Sequence, residues 1–445
     1  MRTDNIVFVF DFDGVIVDSI NALYEVYIGF LREFGFKGNK EEFNVLNGPK
    51  ISEIVSLLKE KHNINKSEQE LSSVYCKNLS SIYKDARLNI GVEESLKMLK
   101  DNHIKIALAS SSKKIEIESI LNKFKLNQFF DFIISGDEVG KAKPSPEIYN
   151  VVKKKYPNHE YYVVEDSENG LQAAISNKMK TIFYNPKNRK TEKNVTYEID
   201  SLHRIKEIIT EIDLNCFTIS KSRNITLQVV EHELYINALQ EQTIEDLWNS
   251  ELKKRQLFNG KIVSYHSHKK IGDTLYIECF VTQYKYFFAQ LKNPELIPKI
   301  RPIGVCGIIL DEDNNTMLAV RHNVTEYNGF YEFVPAGSVD SSKTENDLIS
   351  FKEQIIEEFE EETQIKRENI KNIEPYCLIF DNNHGVYDIC SKIYINGLLE
   401  HLIDSKQNEE YRNITIVKLA GIHKEIEIDK NNCVPTSIVA LINLV

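Results

Sequence analysis

The stretch Val7-Phe8-Val9-Phe10-Asp11-Phe12-Asp13-Gly14-Val15-Ile16-Val17-Asp18-Ser19 decides how the chain reads. Its apolar opening makes a short buried strand, and two aspartates follow where that strand ends. Gly14 lets the backbone come close to a ligand. Asp18 or Ser19 supplies an N-cap for the helix that follows. A strand that delivers D-x-D into a glycine turn sets two carboxylates around one cation. Magnesium takes hard oxygen ligands and bridges carboxylates to phosphate oxygens. One of the carboxylates can also attack phosphorus. D-x-D alone reads equally well as a strand end with two solvated aspartates, so the rest of the chain has to decide.

Composition narrows the choice. At roughly 100–200 residues per domain, a chain of 445 residues makes two or three domains. A net charge of −11 argues against the nucleic-acid backbone as partner, which calls for basic patches. No apolar run approaches the ~18 residues of a membrane span. The N-terminal apolar stretch ends at Asp11, which is unlike a signal peptide. Seven dispersed cysteines without a CxxC pair suit a reducing, cytoplasmic setting.

Taken in order, the chain alternates strand and helix. Ala22, Leu23, Val26, Tyr27, Phe30, Leu31 and Phe34 have helical spacing closed by Gly35. Residues 41–86 read as more helix and interrupt the alternation, which predicts a helical cap over about 20–88. Alternation then resumes. Strands are expected at 104–109, 132–134, 161–164 and 180–184, with helices at 93–102 and after Lys143-Pro144-Ser145-Pro146. This pattern predicts an α/β fold with a doubly wound parallel sheet, whose ligands bind at strand carboxyl ends. Asp11/Asp13, Ser110/Ser111 and Glu165/Asp166 all fall at such ends.

One shared site would use these residue types. Asp11 attacks phosphorus, and Asp13 serves as general acid and then base. Ser110, with nearby backbone N–H groups, holds a phosphoryl oxygen. Lys143 neutralises charge, with Lys141 as the alternative. Glu165 and Asp166 complete a metal site. Singly, each has a bland reading: a turn serine, a solvated lysine, a helix N-cap pair.

The strings D-F-D-G-V-I-V-D-S, A-S-S-S, K-P-S-P-E-I-Y and V-V-E-D-S-E-N-G-L-Q-A-A resemble the haloacid dehalogenase (HAD) phosphohydrolases over about residues 5–210. They are most similar to the subgroup with a helical cap, which includes small phosphatases and β-phosphoglucomutase. The resemblance implies Asp11 as nucleophile, Asp13 as acid-base, and Asp11, Asp13 and Asp166 as Mg²⁺ ligands, joined by Glu165. It also implies that Gly14 and Ser111 face substrate. Asn47-Gly48-Pro49-Lys50 resembles the cap loop that reads the leaving group, with Lys50 reaching a second anionic group or simply starting a helix in solvent. Mutases of this group carry a histidine shortly after D-S. Here Asn21, Ala22 and Leu23 follow, which favours a phosphatase.

Beyond a boundary near 212 the character changes. Strands are expected at 225–230, 276–281 and 305–310, and a helix at about 346–363. That helix carries Glu358, Glu361 and Glu362 on one face. Clustered like charges weaken a helix, which a divalent cation would offset; a solvated acidic face is the bland alternative.

The run Y-E-F-V-P-A-G, followed by E-E-F-E-E-E-T-Q-I, resembles the Nudix hydrolase box, G-x5-E-x7-R-E-U-x-E-E-x-G-U. Gly337 matches the first glycine, and Glu358, Glu361 and Glu362 the metal-binding glutamates, with Glu361 carried over as catalytic. The departures are specific. Lys343 stands where the first glutamate belongs, the loop after it is six residues longer than the pattern, Glu357 replaces the arginine, and Gln364 replaces the glycine. The usual Arg–Glu brace is therefore missing or rebuilt, with Glu345 or Glu353 as the available carboxylates.

The expectation is thus a HAD-like phosphatase over 1–212 and an α+β Nudix-like domain over 213–445, with a β extension at about 216–300. Both would use Mg²⁺, with Mn²⁺ as the alternative. The substrates would be a small phosphorylated metabolite and a nucleoside diphosphate derivative, such as a nucleotide sugar. Neither nucleic acid nor membrane is an expected partner, and a homodimer fits the Nudix resemblance. Two alternatives stay open: a non-catalytic nucleotide-sensing second half, and a phosphomutase in the first.

Overall fold

The computed structural model describes residues 5–82, 86–254, 257–322, 324, 327–402, 411–422 and 431–444. The chain forms two compact units, Met1–Ile209 and Thr210–Val445.

The first unit starts with Ile6–Phe10 (β1), buried at every position. Four helices follow: Ile20–Glu33 (α1), Lys40–Leu46 (α2), Ile51–His62 (α3) and Glu68–Ile82 (α4). They pack on one another around Phe30, Leu31, Val55, Leu58 and Leu71, a core separate from that of the sheet. The Tyr27 hydroxyl donates to Glu42 at 2.6 Å, and His62 meets the other Glu42 oxygen at 2.8 Å. This tie joins α1, α2 and α3.

The chain then alternates through Val92–Asp101 (α5), Lys105–Ala109 (β2), Lys114–Lys123 (α6), Phe132–Ile134 (β3), Glu147–Lys155 (α7), Glu160–Glu165 (β4), Glu168–Ser176 (α8), Lys180–Tyr184 (β5) and Tyr197–Ile199 (β6). The six strands form one sheet in the order β3-β2-β1-β4-β5-β6, and every pair is parallel. A strand covered on both faces reads as a continuous apolar run, which is why β1 does.

Register now matters more than order. Phe10 pairs with Leu108 on β2 and with Val164 on β4. The next residue of each strand is therefore level: Asp11, Ala109 and Glu165. The strand order reverses at β1, which opens the crevice where such sheets bind ligands.

In the second unit, which begins within Ile205–Leu214 (α9), the elements are Cys216–Lys221 (β7), Asn224–Val229 (β8), Ala238–Leu252 (α10), Lys261–Ile271 (β9), Thr274–Gln283 (β10), Tyr284–Lys292 (α11), Ile303–Leu310 (β11), Asn315–Arg321 (β12), Tyr331–Phe333 (β13), Ala336–Ser338 (β14), Thr344–Glu345 (β15), Leu348–Ile349 (β16), Phe351–Thr363 (α12), Ile370–Asp381 (β17), Val386–Ile395 (β18), Leu399–Leu402 (α13), Tyr411–Lys418 (β19) and Pro435–Ile442 (α14). They build three sheets, ordered β14-β11-β18-β17-β7, β15-β16-β8-β10-β9 and β13-β12-β19. The pair β11/β18 is parallel, whereas β17 is antiparallel to both β18 and β7.

Two expectations change here. Segment 216–300 is not a purely β extension, since it holds α10 and α11 and its first strand, β7, joins a sheet with β11, β17 and β18. The helix expected from 346 begins at Phe351. Asn346 and Asp347 adopt φ of 49° and 61°, a left-handed turn that these residues tolerate, and close the β15/β16 hairpin. Ser350 then caps α12 by accepting from the Glu353 N–H.

Asp131 shows how an edge of the first sheet is pinned. Its N–H donates to the Ile106 carbonyl at 2.8 Å, and its carboxylate accepts the Ile106 N–H at 2.9 Å and the Lys100 ammonium at 2.8 Å. Burial pushes this carboxyl up, but Lys100 and the backbone bond outweigh it and hold the pKa below the ordinary 3.8. A depressed folded-state pKa contributes stability that is present above the unfolded value and is lost as pH falls through the folded one. Asp131→Asn is therefore expected to lower stability by about 1 kcal/mol at neutral pH. Thermal melts of both proteins at descending pH should show this gap closing below pH 3.8.

Candidate active site

The carboxyl end of β1 places Asp11 at the centre of the site. The Lys143 ammonium donates to Asp11 Oδ1 at 2.6 Å, to Glu165 Oε1 at 2.6 Å and to the Ala109 carbonyl at 2.9 Å. Lys143 is only 2% exposed, so this lysine is fully committed. Lys141, the alternative, lies in solvent. Glu165 is held in turn: Oε1 accepts from the Tyr149 hydroxyl at 2.5 Å and Oε2 from Ser167 Oγ at 3.3 Å. Both Glu165 oxygens thus have donors, and the residue's visible task is to hold Lys143.

Asp13 points elsewhere. Its two oxygens accept from Ser19 Oγ at 2.7 Å and Ser112 Oγ at 2.5 Å. The expected cap of α1 is corrected by this contact: Ser19 occupies the N-cap position but makes no side-chain capping bond. Ser110 Oγ accepts from the Ser112 N–H at 3.0 Å, which closes the turn after β2. Ser111 Oγ is buried and has no hydrogen-bond partner among the described residues. Gly14 has a φ of +82°, and a Cβ there would sit 2.5 Å from the Asp166 carboxylate, so the turn requires glycine. Asn89 Nδ2 donates to the Gly14 and Val15 carbonyls, both at 2.9 Å, and fixes that turn.

The electrostatics are unbalanced. Asp11, Glu165 and Asp166 are buried, with carboxylate oxygens within 4.8 Å of one another; among the described residues this is the one such acidic, histidine or cysteine group. Burial and the Glu165 charge push Asp11 well up, with Lys143 opposing. The same two causes raise Asp166 to about 7. Burial alone would lower Lys143, but Asp11 and Glu165 outweigh it and raise its pKa. Asp166 Oδ1 is also buried without a hydrogen-bond partner among the described residues. Surplus negative charge, an orphaned carboxylate oxygen and an all-oxygen donor set fit a hard divalent cation. Asp11 and Asp166 are the residues with oxygens to offer it.

The remaining predicted residues separate. The Lys50 ammonium donates to the carbonyls of Val139 at 3.3 Å and Gly140 at 2.7 Å, so it ties the cap to the β3–α7 loop instead of facing the cavity. In the second unit, Glu358, Glu361 and Glu362 do not form a cluster within 4.8 Å. Glu362 turns inward and accepts the Ala336 N–H at 3.0 Å, Glu358 accepts from Gln354 at 2.9 Å, and Glu361 is exposed. Neither Glu345 nor Glu353 rebuilds the expected brace; Lys343 pairs with Glu357.

Sequence reasoning missed Tyr149, Ser19, Ser112 and Arg189 as partners of the charged groups. Arg189 donates to the Asp166 carbonyl at 2.7 Å and lies 3.8 Å from its carboxylate. Tyr149 stood inside the quoted K-P-S-P-E-I-Y string, six residues after Lys143, but nothing there showed its hydroxyl turning inward.

The site lies at the floor of a cavity of about 80 Å³ that Asp11, Asp13, Ser110, Ser111 and Lys143 share with cap residues. Such a site on such a sheet has relatives. The sequence profile of the family described as haloacid dehalogenase-like hydrolase matches residues 8–184. The chain is 30% identical over 183 residues to a phosphorylated carbohydrates phosphatase of Thermotoga maritima, covering 39% of this chain and 82% of that protein. It is 25% identical over 179 residues to 6-phosphogluconate phosphatase of Escherichia coli, covering 39% and 80%. Among solved structures, a β-phosphoglucomutase from Clostridium difficile is 25% identical, covers 46% of this chain and 96% of that one, and has a TM-score of 0.42. The chain belongs to the haloacid dehalogenase-like hydrolases through its first unit. It is an enzyme of that superfamily.

Removing one partner of a buried ion pair leaves an uncompensated charge, at a cost of about 3–5 kcal/mol. Lys143→Met is expected to lose about 3 kcal/mol of stability, because Asp11 can partly relieve the charge by taking a proton. Urea unfolding followed by circular dichroism should show this as a lower midpoint with an unchanged slope.

Proposed function

We propose that the first unit is a Mg²⁺-dependent phosphomonoesterase working through an aspartyl-phosphate on Asp11. The observation that carries this reading is the Asp11 carboxylate, buried at a strand end, with one oxygen pinned by Lys143 and with a Ser111 hydroxyl, unpartnered among the described residues, lining the same cavity. The relatives' names, phosphorylated carbohydrates phosphatase and 6-phosphogluconate phosphatase, support phosphate ester hydrolysis.

In this mechanism an Asp11 oxygen attacks phosphorus, and the bond from phosphorus to the ester oxygen breaks. Asp13 gives its proton to the departing alkoxide, which leaves as an alcohol. Asp13 then takes a proton from water, the resulting hydroxide attacks the phosphoryl group, and Asp11 is released with inorganic phosphate. Ser110 and Ser111, with their backbone, hold phosphoryl oxygens, and Lys143 keeps Asp11 oriented and offsets its charge. A bound cation supplies further charge neutralisation at the phosphoryl group, held by Asp11 and Asp166. Ser19 and Ser112 hold the Asp13 carboxylate, which lines the same cavity as Asp11. Leu23 lines the cavity near the place where mutases of this subgroup carry histidine, which supports hydrolysis over phosphoryl return.

For the second unit the proposed reading is a Nudix-type module for a nucleoside diphosphate-linked compound. Two observations support it. A Cβ on Gly337 would lie 2.0 Å from Glu358 Oε1, so the Glu358 side chain of α12 packs directly against β14 at this glycine. Lys343 and Glu357 form an ion pair at the two positions where the box has glutamate and arginine, a brace with its charges exchanged. The product of such hydrolysis, a phosphate monoester, is a substrate type for the first unit.

With Mg²⁺, wild type is expected to release phosphate from small monoesters. Asp11→Asn should cut this at least ~10³-fold, as removal of a nucleophile does, and a chelator should abolish it reversibly; colorimetric phosphate assays would show both. For the second unit, full-length Asp11→Asn is incubated with nucleotide sugars and followed by phosphorus NMR. Accumulation of nucleoside monophosphate, lost on adding Glu361→Gln, is the expected outcome. Saturable nucleotide binding without any release would instead make the second unit a sensor.

A further inference from the structure

The catalytic cavity carries a carboxylate that the phosphoryl chemistry does not use. Glu116, in the first turn of α6, lines the cavity together with Asp11, Asp13 and Lys143. Its Oε2 accepts from the Lys113 N–H at 3.3 Å, and its other oxygen has no hydrogen-bond partner among the described residues. No ion pair reaches it among those residues either. Lys143 is held by Asp11, Glu165 and the Ala109 carbonyl. Lys50 donates to the carbonyls of Val139 and Gly140, Lys113 sends its ammonium to Cys76 Sγ at 3.4 Å, and Lys114 pairs with Glu138 at 3.4 Å. Burial raises the Glu116 carboxyl above its ordinary value, which the Lys113 N–H opposes and the Asp13 charge reinforces. Two more polar groups line the same space. Tyr75, on α4, is 3% exposed, and its hydroxyl has no partner among the described residues. The Asn47 side chain, between α2 and α3, has none either, although its backbone carbonyl accepts from Asn169 Nδ2 at 2.6 Å.

These three groups share one property. A carboxylate oxygen, an amide oxygen and a phenol oxygen can each accept a hydrogen bond, and an ammonium has three N–H groups to give and no acceptor. A neutral hydroxyl would gain one charge-assisted bond from Glu116. An ammonium would gain that bond and also balance the carboxylate charge, against a wall of Phe43, Leu46, Ile51, Ile54 and Leu79 where water screens charge poorly. A second anion on the substrate would meet Glu116 and Asp13, with no uncommitted cation lining the cavity among the described residues. On the phosphomonoesterase reading above, we infer that Glu116 is a specificity-determining residue and that the preferred substrates are phosphate monoesters of small amino alcohols. Matching hydroxyl compounds rank below them, and matching carboxylates last. The phosphoryl end sits at Asp11, and the ammonium end goes to Glu116, Asn47 and Tyr75.

The test uses the full-length protein with Mg²⁺ at neutral pH, where aliphatic amines are protonated, and two matched series. The first is O-phosphoethanolamine, 2-hydroxyethyl phosphate and phosphoglycolate, which share a chain length and end in an ammonium, a hydroxyl and a carboxylate. The second repeats these ends on a chain one carbon longer. In the faster series, kcat/KM is expected to favour the ammonium member over the hydroxyl member by about tenfold or more, with the carboxylate member slowest. Glu116→Gln keeps the size of the side chain and an oxygen for the Lys113 N–H, but removes the charge. It should lower the ammonium-to-hydroxyl ratio about tenfold and raise the carboxylate-to-hydroxyl ratio. Comparing each ratio between wild type and variant cancels differences in leaving-group reactivity. Equal or preferred wild-type turnover of the hydroxyl or carboxylate member overturns the inference, and so do ratios that Glu116→Gln leaves unchanged. Hydrolysis of acetyl phosphate when neither series reacts also overturns it, and leaves the phosphomonoesterase reading intact. Absence of any Asp11-dependent phosphate release, acetyl phosphate included, would instead remove that reading and the inference with it.

Discussion

A single buried ammonium between two carboxylates governs the first unit. Lys143 reaches Asp11 and Glu165 at 2.6 Å each, in a site that water barely enters. Desolvating three charges is unfavourable, and the arrangement persists only because each group has more than one partner. Glu165 is fixed by Tyr149 and Ser167, and Lys143 also meets the Ala109 carbonyl. The strand order follows the same demand. Only with β1 between β2 and β4, in the observed register, do Asp11, Ala109 and Glu165 come level.

This arrangement leaves a deliberate imbalance. Lys143 satisfies part of Asp11 and Glu165, while Asp166 keeps an oxygen without a partner among the described residues and is raised to about 7. Folding thus stores negative charge at the strand ends, where Gly14 lets the chain pass within touching distance of Asp166. A polar floor built this way contrasts with the cap above it, whose helices turn apolar side chains both into their own core and toward the cavity. The two surfaces divide the work on the proposed reading: one grips a phosphoryl group, the other encloses what is attached to it.

In the second unit an ion pair between Lys343 and Glu357 ties the segment between β14 and β15 to α12. The glutamates of α12 do not behave as a set. Like charges on one helix face repel, and here Glu362 finds a backbone amide while Glu361 stays in water.

The sequence by itself was enough for much of the first unit. Alternating apolar strands and amphipathic helices specified a parallel sheet, because that pattern is a local consequence of which faces must be buried. The positions of Asp11, Ser110 and Glu165 at strand ends were readable for the same reason. Side-chain direction was not. Asp13 turning to Ser19 and Ser112, Lys50 turning to Val139 and Gly140, and Tyr149 closing on Glu165 each depend on residues distant in the chain or on a helix's rotation about its axis. The early start expected for α12 failed because Asn346 and Asp347 take a left-handed turn that helical periodicity does not register. Periodic burial is written along the chain, residue by residue. The pairing of charges is decided only when the folded elements have brought their partners within reach.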